Sequence, residues 1–486
     1  MRKQRSSFTN TEAQALNEIN FTDAGNAERL VRDYGDIIRY DRTRSTWHSY
    51  NAKRGVWVEG PVAIEALAKK TIKAWLHQSI DEDDSMTKRT VDWAMRSLAT
   101  NSLKAMVTQA RLEDEIEVQT HEFDADDWLL NCLNGTVDLR TGELRPHRPE
   151  DLLTMQAPVR YNPDAKCPRF DKFEEEIFLG DREAIDYLNR VLGHALTGDP
   201  VEQKLYVLDG DGRNGKNVIA DLMLKLLGPY ACQADHNLLL SRNNPDHPAN
   251  IADLKGRRLV IANETDKGKR FAESLMKSLT GNDFVKGRDM YEKWGTFRRT
   301  FTVFLVTNHL PDVSGNDDAI WRRIERFELK AKFLDLCNFT DGPKAELQFE
   351  REYGLTNRLF REEAEGILAL LVRSCLEWSP QAKAPASVDL STQDYKAKAD
   401  HLERFVAERG QVGPEYTSMA KPLHDAYVSW CKVAKPPVNK PMDTNDFKEE
   451  LEKKYVQKRS NRGQKWFGIG LATVHATNHE ELGRTG

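Results

Sequence analysis

One short segment constrains this chain more than any other. Gly210-Asp211-Gly212-Arg213-Asn214-Gly215-Lys216-Asn217 follows the apolar run Leu205 to Leu208 and precedes the helical pattern NVIADLMLKLL, which stops at Gly228-Pro229. The spacing G-x-x-x-x-G-K between a strand and a helix is the Walker A arrangement. Its glycines let successive backbone N–H groups turn inward around a phosphate, and the helix adds the positive end of its dipole. Lys216 then reaches the outer phosphate oxygens. The plainer reading is a glycine turn opening a helix, but flanks and spacing together favour the phosphate cradle. Residue 217 departs from the pattern, with Asn where a Ser or Thr hydroxyl normally meets Mg²⁺; an amide oxygen is a hard ligand that can substitute.

Three downstream segments carry related chemistry. The apolar run Leu259 to Ala262 leads to Glu264, an acid at a strand end, with Asp266 just beyond as a solvated turn residue or helper. A carboxylate there suits orientation of an attacking water or of a metal's water shell. The run Phe301 to Val306 leads to Asn308, either a polar group for the outer phosphate or a cap before Pro311. Asp318-Ala-Ile-Trp-Arg322-Arg323 follows, where one arginine either neutralises transition-state charge from a neighbouring copy or makes a surface ion pair. Short β-branched runs separated by helices predict an α/β sheet covered on both faces. His247 and His309 have no ligand-spaced partner and read as structural or capping groups.

The 486 residues predict several domains. No apolar run approaches the ~18–20 residues of a membrane span, and MRKQRSSFTN lacks the apolar stretch of a secretory signal. The six cysteines form no C-x-x-C pair, which excludes a Cys-rich zinc module and suits a reducing, cytoplasmic compartment. A net charge of -5 means that nucleic-acid contacts must come from local basic patches. Residues 37–60 read as a small strand meander, followed by helices from Pro61 and over TKRTVDWAMRSLATNSLKAMVTQARL. Asn134-Gly135 and Thr141-Gly142 predict tight turns. EEAEGILALLVRSCLEW predicts a helix, and SPQAKAPASVDLS a linker. In the tail, a helix over Asn445 to Tyr455 is expected before a basic turn (Lys458, Arg459, Arg462, Lys465) and an aromatic strand around Trp466.

Taken together, these motifs resemble superfamily 3 helicases, and more narrowly the phage/plasmid primase-helicase family of the satellite-phage alpha-protein and poxvirus type. The blocks TDAGNAERLVRDYGDIIRY, DDWLLNCLNGTVDLRTGELRPHRPED, YLNRVLGHALTGDPVEQKLYVLDGDGRNGKN, LTGNDFVKGRDMYEKWGTF and TNHLPDV…DDAIWRRI carry the likeness over most of residues 20–380. It implies an AAA+-like ATPase core at 196–380 with a helical lid, and an α+β N-terminal domain over 1–120. A collar region at 121–195 and a winged-helix-like domain at 390–486 complete the expected architecture. By the same resemblance Lys216 is the phosphate lysine, Asn217 and Glu264 serve Mg²⁺, and Asn308 is a sensor. Arg323, with Arg322 beside it, is the trans-acting arginine. ATP and Mg²⁺ are the implied cofactors, and a homo-oligomer, a hexameric ring, the implied assembly. Single-stranded or forked DNA would be moved 3′ to 5′ by a hairpin bearing Lys293 and Trp294, with Lys286 and Arg288 on its approach. The family's usual second acid beside Glu264 is absent, since Asn263 precedes it. The residues upstream of these blocks hold no metal-binding D-x-D core and no Cys/His zinc cluster, so priming is expected from a separate primase or polymerase, or from an N-terminal segment omitted from this sequence. A replication initiator or loader that uses ATP only as an assembly switch is the competing function.

Overall fold

The structure is a computed structural model that describes residues 21–80, 85–235, 238–240, 249–264, 269–281, 284–287, 295–313, 318–342, 345–434, 438, 441–461 and 463–472. It is a mixed α/β, multidomain protein built around a parallel sheet. Among the described residues no helix is long and apolar enough to cross a membrane.

The first unit pairs the expected meander with helices. Strands Ile38–Asp41, Thr46–Asn51 and Val56–Glu59 run antiparallel, and Glu117–Val118 joins the first of them in parallel. Helix Asp23–Tyr34 starts at Thr22, whose hydroxyl accepts from the Gly25 N–H at 3.0 Å. The helical stretch expected after residue 86 is two helices, Ser85–Ser97 and Thr100–Ala110, because Ala99 takes an extended conformation between them. Ala27, Leu30, Ile64, Ala68, Ile72 and Met106 close the core of this unit.

The central sheet has five parallel strands: Leu205–Asp209, Ala231–Gln233, Leu259–Glu264, Thr302–Thr307 and Ile324–Glu328. Numbered by their order in the chain, they lie fifth, first, fourth, third, second across the sheet. The first strand therefore sits where the winding direction reverses, and its carboxyl end opens on the crevice that such sheets use for ligands. Both faces are covered. Leu205, Val207, Val260, Leu305 and Ile324 enter one core, and Tyr206, Leu208, Ile261, Phe304 and Phe327 the other. The sequence reading missed both outer strands. Ala231–Gln233 is three residues long, and Ile324–Glu328 spells IERFE, in which the charged Glu325 and Arg326 are buried.

Two other expectations change. The boundary placed at 195/196 falls inside one hydrophobic core, since Leu130, Val137, Phe173 and Leu188 pack in the same cluster as Leu222, Tyr230 and Leu368. Helix Leu355–Leu376, expected from EEAEGILALLVRSCLEW, lies against helices Arg182–His194 and Lys216–Leu227 and is structural core. The segment read as a linker is half helix: Ala386–Ala399 begins after Pro385 and packs on the Ile324–Glu328 strand. Its Thr392 hydroxyl accepts from the Arg326 N–H at 3.0 Å, and its Ser391 hydroxyl donates to the Arg326 carbonyl at 2.9 Å. Those bonds hold a helix whose sequence has little amphipathic pattern.

Residues 401–471 form a further unit ordered helix, strand, helix, helix, strand, strand. The elements are His401–Arg409, Gly410–Met419, Ala420–Cys431, Thr444–Glu452, Val456–Ser460 and Gly463–Leu471. Its last strand lies between the other two, antiparallel to both.

Candidate functional site

The glycine loop leaves the carboxyl end of the first sheet strand and closes at Gly215, where helix Lys216–Leu227 begins. Gly212 and Gly215 have φ of +83° and +86°, and Arg213 holds the left-handed region at +55°. Such angles cost a side-chain-bearing residue ~1–2 kcal/mol, which explains the glycines on either side of Arg213. At Gly215 a Cβ would lie 2.6 Å from Ile177 and 2.9 Å from Phe173, so the loop also packs too closely for a side chain.

The loop is tied to its surroundings through backbone groups. Asn214 Nδ2 donates to the Leu329 carbonyl at 3.1 Å, and the Phe333 N–H donates to the Arg213 carbonyl at 2.7 Å. Lys216 folds over the loop with only 5% of its surface exposed. Its Nζ donates to the Gly210 carbonyl at 3.1 Å, to Asn214 Oδ1 at 3.2 Å and to Asn308 Oδ1 at 2.5 Å. Burial lowers the lysine's pKa, while Asp209 and Asp211 oppose that shift. Two of the residues singled out in the sequence, 92 positions apart, are thus in direct contact. Asn308 reaches that place because the preceding Thr307 hydroxyl accepts from the His309 N–H at 3.0 Å and donates to its carbonyl at 2.7 Å, turning the chain as the strand ends.

The register aligns the other candidates. Asp209 pairs with Thr307, and Thr307 with Glu264, so these three share one rank at the carboxyl edge of the sheet. Glu264 ends its strand two strands away from the glycine loop. Gly212 to Val218 and Asn308 line one wall of a cavity of about 440 Å³; Arg169, Phe173, Phe333, Arg351 and Tyr353 stand among the residues of the others. Asn217 is exposed and faces this cavity. Among the described residues no group of three or more His, Cys, Asp or Glu is placed to hold a metal. Asn217 offers an amide oxygen to the cavity, a hard ligand that fits a hard cation.

Arg323 is not part of this constellation within one chain. It precedes Ile324, which pairs with Leu205 at the opposite, amino-terminal edge of the sheet. The five-residue strand between places it roughly 16 Å from the glycine-loop edge. There Nη1 donates to the Ala319 carbonyl at 2.5 Å and Nη2 to Gln203 Oε1 at 3.2 Å, while Nε has no partner among the described residues. Arg322 is exposed and bonds the Asp318 carbonyl at 3.2 Å. Of the expected DNA contacts, Lys286 is exposed on strand Phe284–Gly287, which pairs with Gly295–Arg298. Arg288, Lys293 and Trp294 lie outside the described residues.

Sequence reading missed a buried ionic cluster directly behind the loop. Asp209, 7% exposed, receives Arg326 Nε at 2.7 Å and Nη2 at 3.1 Å. Arg326 also donates to Glu328 at 3.0 Å, to Asp394 at 3.2 Å and to the Ser391 carbonyl at 3.1 Å. Burial raises the Asp209 pKa, and the Arg326 guanidinium pulls it back. No local pattern announces this pair, since its members are 117 residues apart; the only signal is an arginine between Ile324 and Phe327 in the short run IERFE.

Two family models match the chain: D5 N terminal like over residues 27–179, and the family of unknown function DUF5906 over residues 208–323. The "Putative helicase L207/L206" of Acanthamoeba polyphaga mimivirus is 26% identical over 59% of this chain and 31% of that protein. The "Putative helicase 022R" of Frog virus 3 is 23% identical over 65% of this chain and 40% of its own length. The "Putative primase C962R" of African swine fever virus (isolate Pig/Kenya/KEN-50/1950) is 23% identical over 67% and 35%. The chain thus spans between 31% and 40% of the length of these relatives. Among solved structures, the C terminal region of NrS-1 aligns over 92% of this chain and 100% of that one, with a TM-score of 0.46 and 11% identity. The D5 N terminal like match at residues 27–179 and the likeness to viral proteins named helicase or primase agree with the primase-helicase resemblance carried by the sequence blocks.

Proposed function

We propose that the chain is the motor of a ring-forming, ATP-driven DNA helicase of superfamily 3, serving replication of a phage, plasmid or other mobile element and moving 3′ to 5′. The observation that carries this reading is the Lys216 ammonium, gathered by Gly210, Asn214 and Asn308 at the head of a cavity of about 440 Å³. A triphosphate entering there would exchange neutral acceptors for anionic ones, and the added negative charge would restore the proton affinity that burial takes from the lysine. Backbone N–H groups of residues 212–216 would wrap the phosphates, and Asn308 would turn its amide to the outer one. Asn217 and Glu264 are the residues assigned to hold magnesium, which when bound would supply charge neutralisation to the phosphates. Glu264 is assigned to orient the attacking water.

The winding order of the sheet supports an AAA+-like core, and the element order of residues 401–471 supports a winged-helix-like domain. The position of Arg323 at the far edge of the sheet supports action on a neighbouring copy's nucleotide, hence a closed ring, hexameric by family resemblance. Such arginines contribute ~10³–10⁵ in rate. Lys286 and the hairpin it approaches are assigned to the DNA strand, with a separate primase or polymerase as partner.

ATP turnover with and without a single-stranded oligonucleotide tests the reading. Wild type is expected to hydrolyse ATP and to respond to DNA, with Lys216→Ala at least ~100-fold slower. Mixing Lys216→Ala with Arg323→Ala subunits is expected to restore part of the turnover, because a mixed seam can pair an intact lysine with an intact arginine. Absence of turnover in wild type with normal DNA binding would instead assign the chain to an initiator or loader that uses ATP for assembly.

A further inference from the structure

The C-terminal sheet carries a feature that neither the glycine loop nor the central hairpin uses. Along strand Gly463–Leu471, Trp466 and Ile469 point into the core of this unit, and Trp466 is 1% exposed. Its neighbour Phe467 faces outward at 39% exposure. On that outer face the register forms two ranks. Thr417, Phe467 and Val456 stand side by side in the first, and Met419, Lys465 and Lys458 in the second. Both lysines lean on the same ring, with Nζ 5.8 Å (Lys458) and 5.5 Å (Lys465) from the Phe467 centroid.

Like charges directly opposite one another on adjacent strands destabilise a sheet. Here two lysines are directly opposite, and neither has an acidic ion-pair partner among the described residues. The neighbouring helix Thr444–Glu452 has the opposite character. It carries Asp446, Glu449, Glu450 and Glu452 against Lys448, and Lys448 pairs with Glu452 at 3.6 Å. The two lysines just beyond that helix are also neutralised: Lys453 by Glu450 at 2.6 Å and Lys454 by Glu403 at 2.5 Å. That helix therefore presents a net acidic surface, which repels phosphate.

We propose that the outer face of this sheet, centred on Phe467 with Lys458 and Lys465, binds single-stranded DNA. A base stacks on the Phe467 ring over the apolar rank it shares with Val456, and the two ammonium groups take the flanking phosphates. The requirement for an unpaired base follows from the flat open ring, which a duplex cannot reach without unstacking. The proposal rests on the reading of the chain as a DNA motor but uses different residues, so the two can fail separately.

The test uses the full chain with an oligothymidylate containing 5-iodouracil and a blunt duplex of equal length. Ultraviolet cross-linking followed by peptide mass mapping is expected to place an adduct on residues 463–471, lost in Phe467→Ala and retained in Phe467→Tyr. Anisotropy titrations are expected to show about tenfold weaker single-strand binding for Phe467→Ala. For Lys458→Gln with Lys465→Gln, the slope of log K against log salt should fall by ~0.7 per lysine. Melting temperatures of the variants separate lost binding from lost folding. No adduct on that strand, unchanged single-strand affinity in folded Phe467→Ala protein, or a larger loss on the blunt duplex would each overturn the proposal. Failure of ATP turnover in wild type with this adduct intact would overturn the motor reading alone.

Discussion

Replacing Arg326 with alanine is the most exacting check on the energetics behind the glycine loop. The side chain is buried and holds both oxygens of Asp209 while also touching Glu328 and Asp394. Glu328 and Asp394 keep 31% and 45% of their side-chain surface in solvent, so water can replace the guanidinium there. Asp209 keeps 9% and has no such recourse. Removing one partner of a buried ion pair costs ~3–5 kcal/mol. At ~2–4 °C per kcal/mol for a domain of this size, the nucleotide-domain melting transition should fall by roughly 6–20 °C at pH 8. Asp209→Ala with Arg326→Met, which removes both charges, should recover most of that loss. The pH dependence has a definite sign. Without Arg326 the folded-state pKa of Asp209 rises further above its unfolded value of ~3.9, so the folded state holds the proton more tightly. The deficit against wild type is then fully present above the folded pKa and shrinks as pH falls toward the unfolded one. Differential scanning calorimetry from pH 5 to 8 reads both effects. A single variant melting within ~2 °C of wild type at pH 8, or a double variant no better than the single, would refute the argument.

Two further outcomes follow from local geometry. Gly215→Ala must hold a Cβ at a φ of +86° and within 3 Å of Phe173 and Ile177, so a fluorescent ATP analogue should bind at least ~10-fold more weakly; equal affinity would show that the loop tolerates a side chain. Glu174 is buried on helix Pro168–Phe178, which pushes its pKa up to about 8 against the hydrogen bond from Asn189. Between its unfolded value of ~4.3 and about 8 the folded carboxyl keeps a proton that the unfolded chain loses, so stability falls as pH rises through that window. Glu174→Gln should therefore melt higher than wild type at pH 8 and nearly the same at pH 4; a shift independent of pH would show that the carboxyl is ionised in the fold.

What the sequence determined by itself was the contiguous chemistry. A strand, a glycine loop and a helix within two dozen residues fix their own geometry, because φ angles above zero, a lysine at the helix start and an apolar run need no distant partner. The inner strands of the central sheet and the meander near residue 40 were legible for the same reason. Tertiary structure decided everything that depended on which strands became neighbours. Strand order brought Asn308 onto Lys216 and buried Arg326 against Asp209, and it put Arg323 at the opposite edge of the sheet. Packing on the Ile324–Glu328 strand made a helix from residues that read as a linker. In the last strand, the alternation of faces and the location of the core chose Phe467 over Trp466 as the outward ring. A side-chain period of two tells that adjacent residues face opposite ways, but only the packed core tells which way is in.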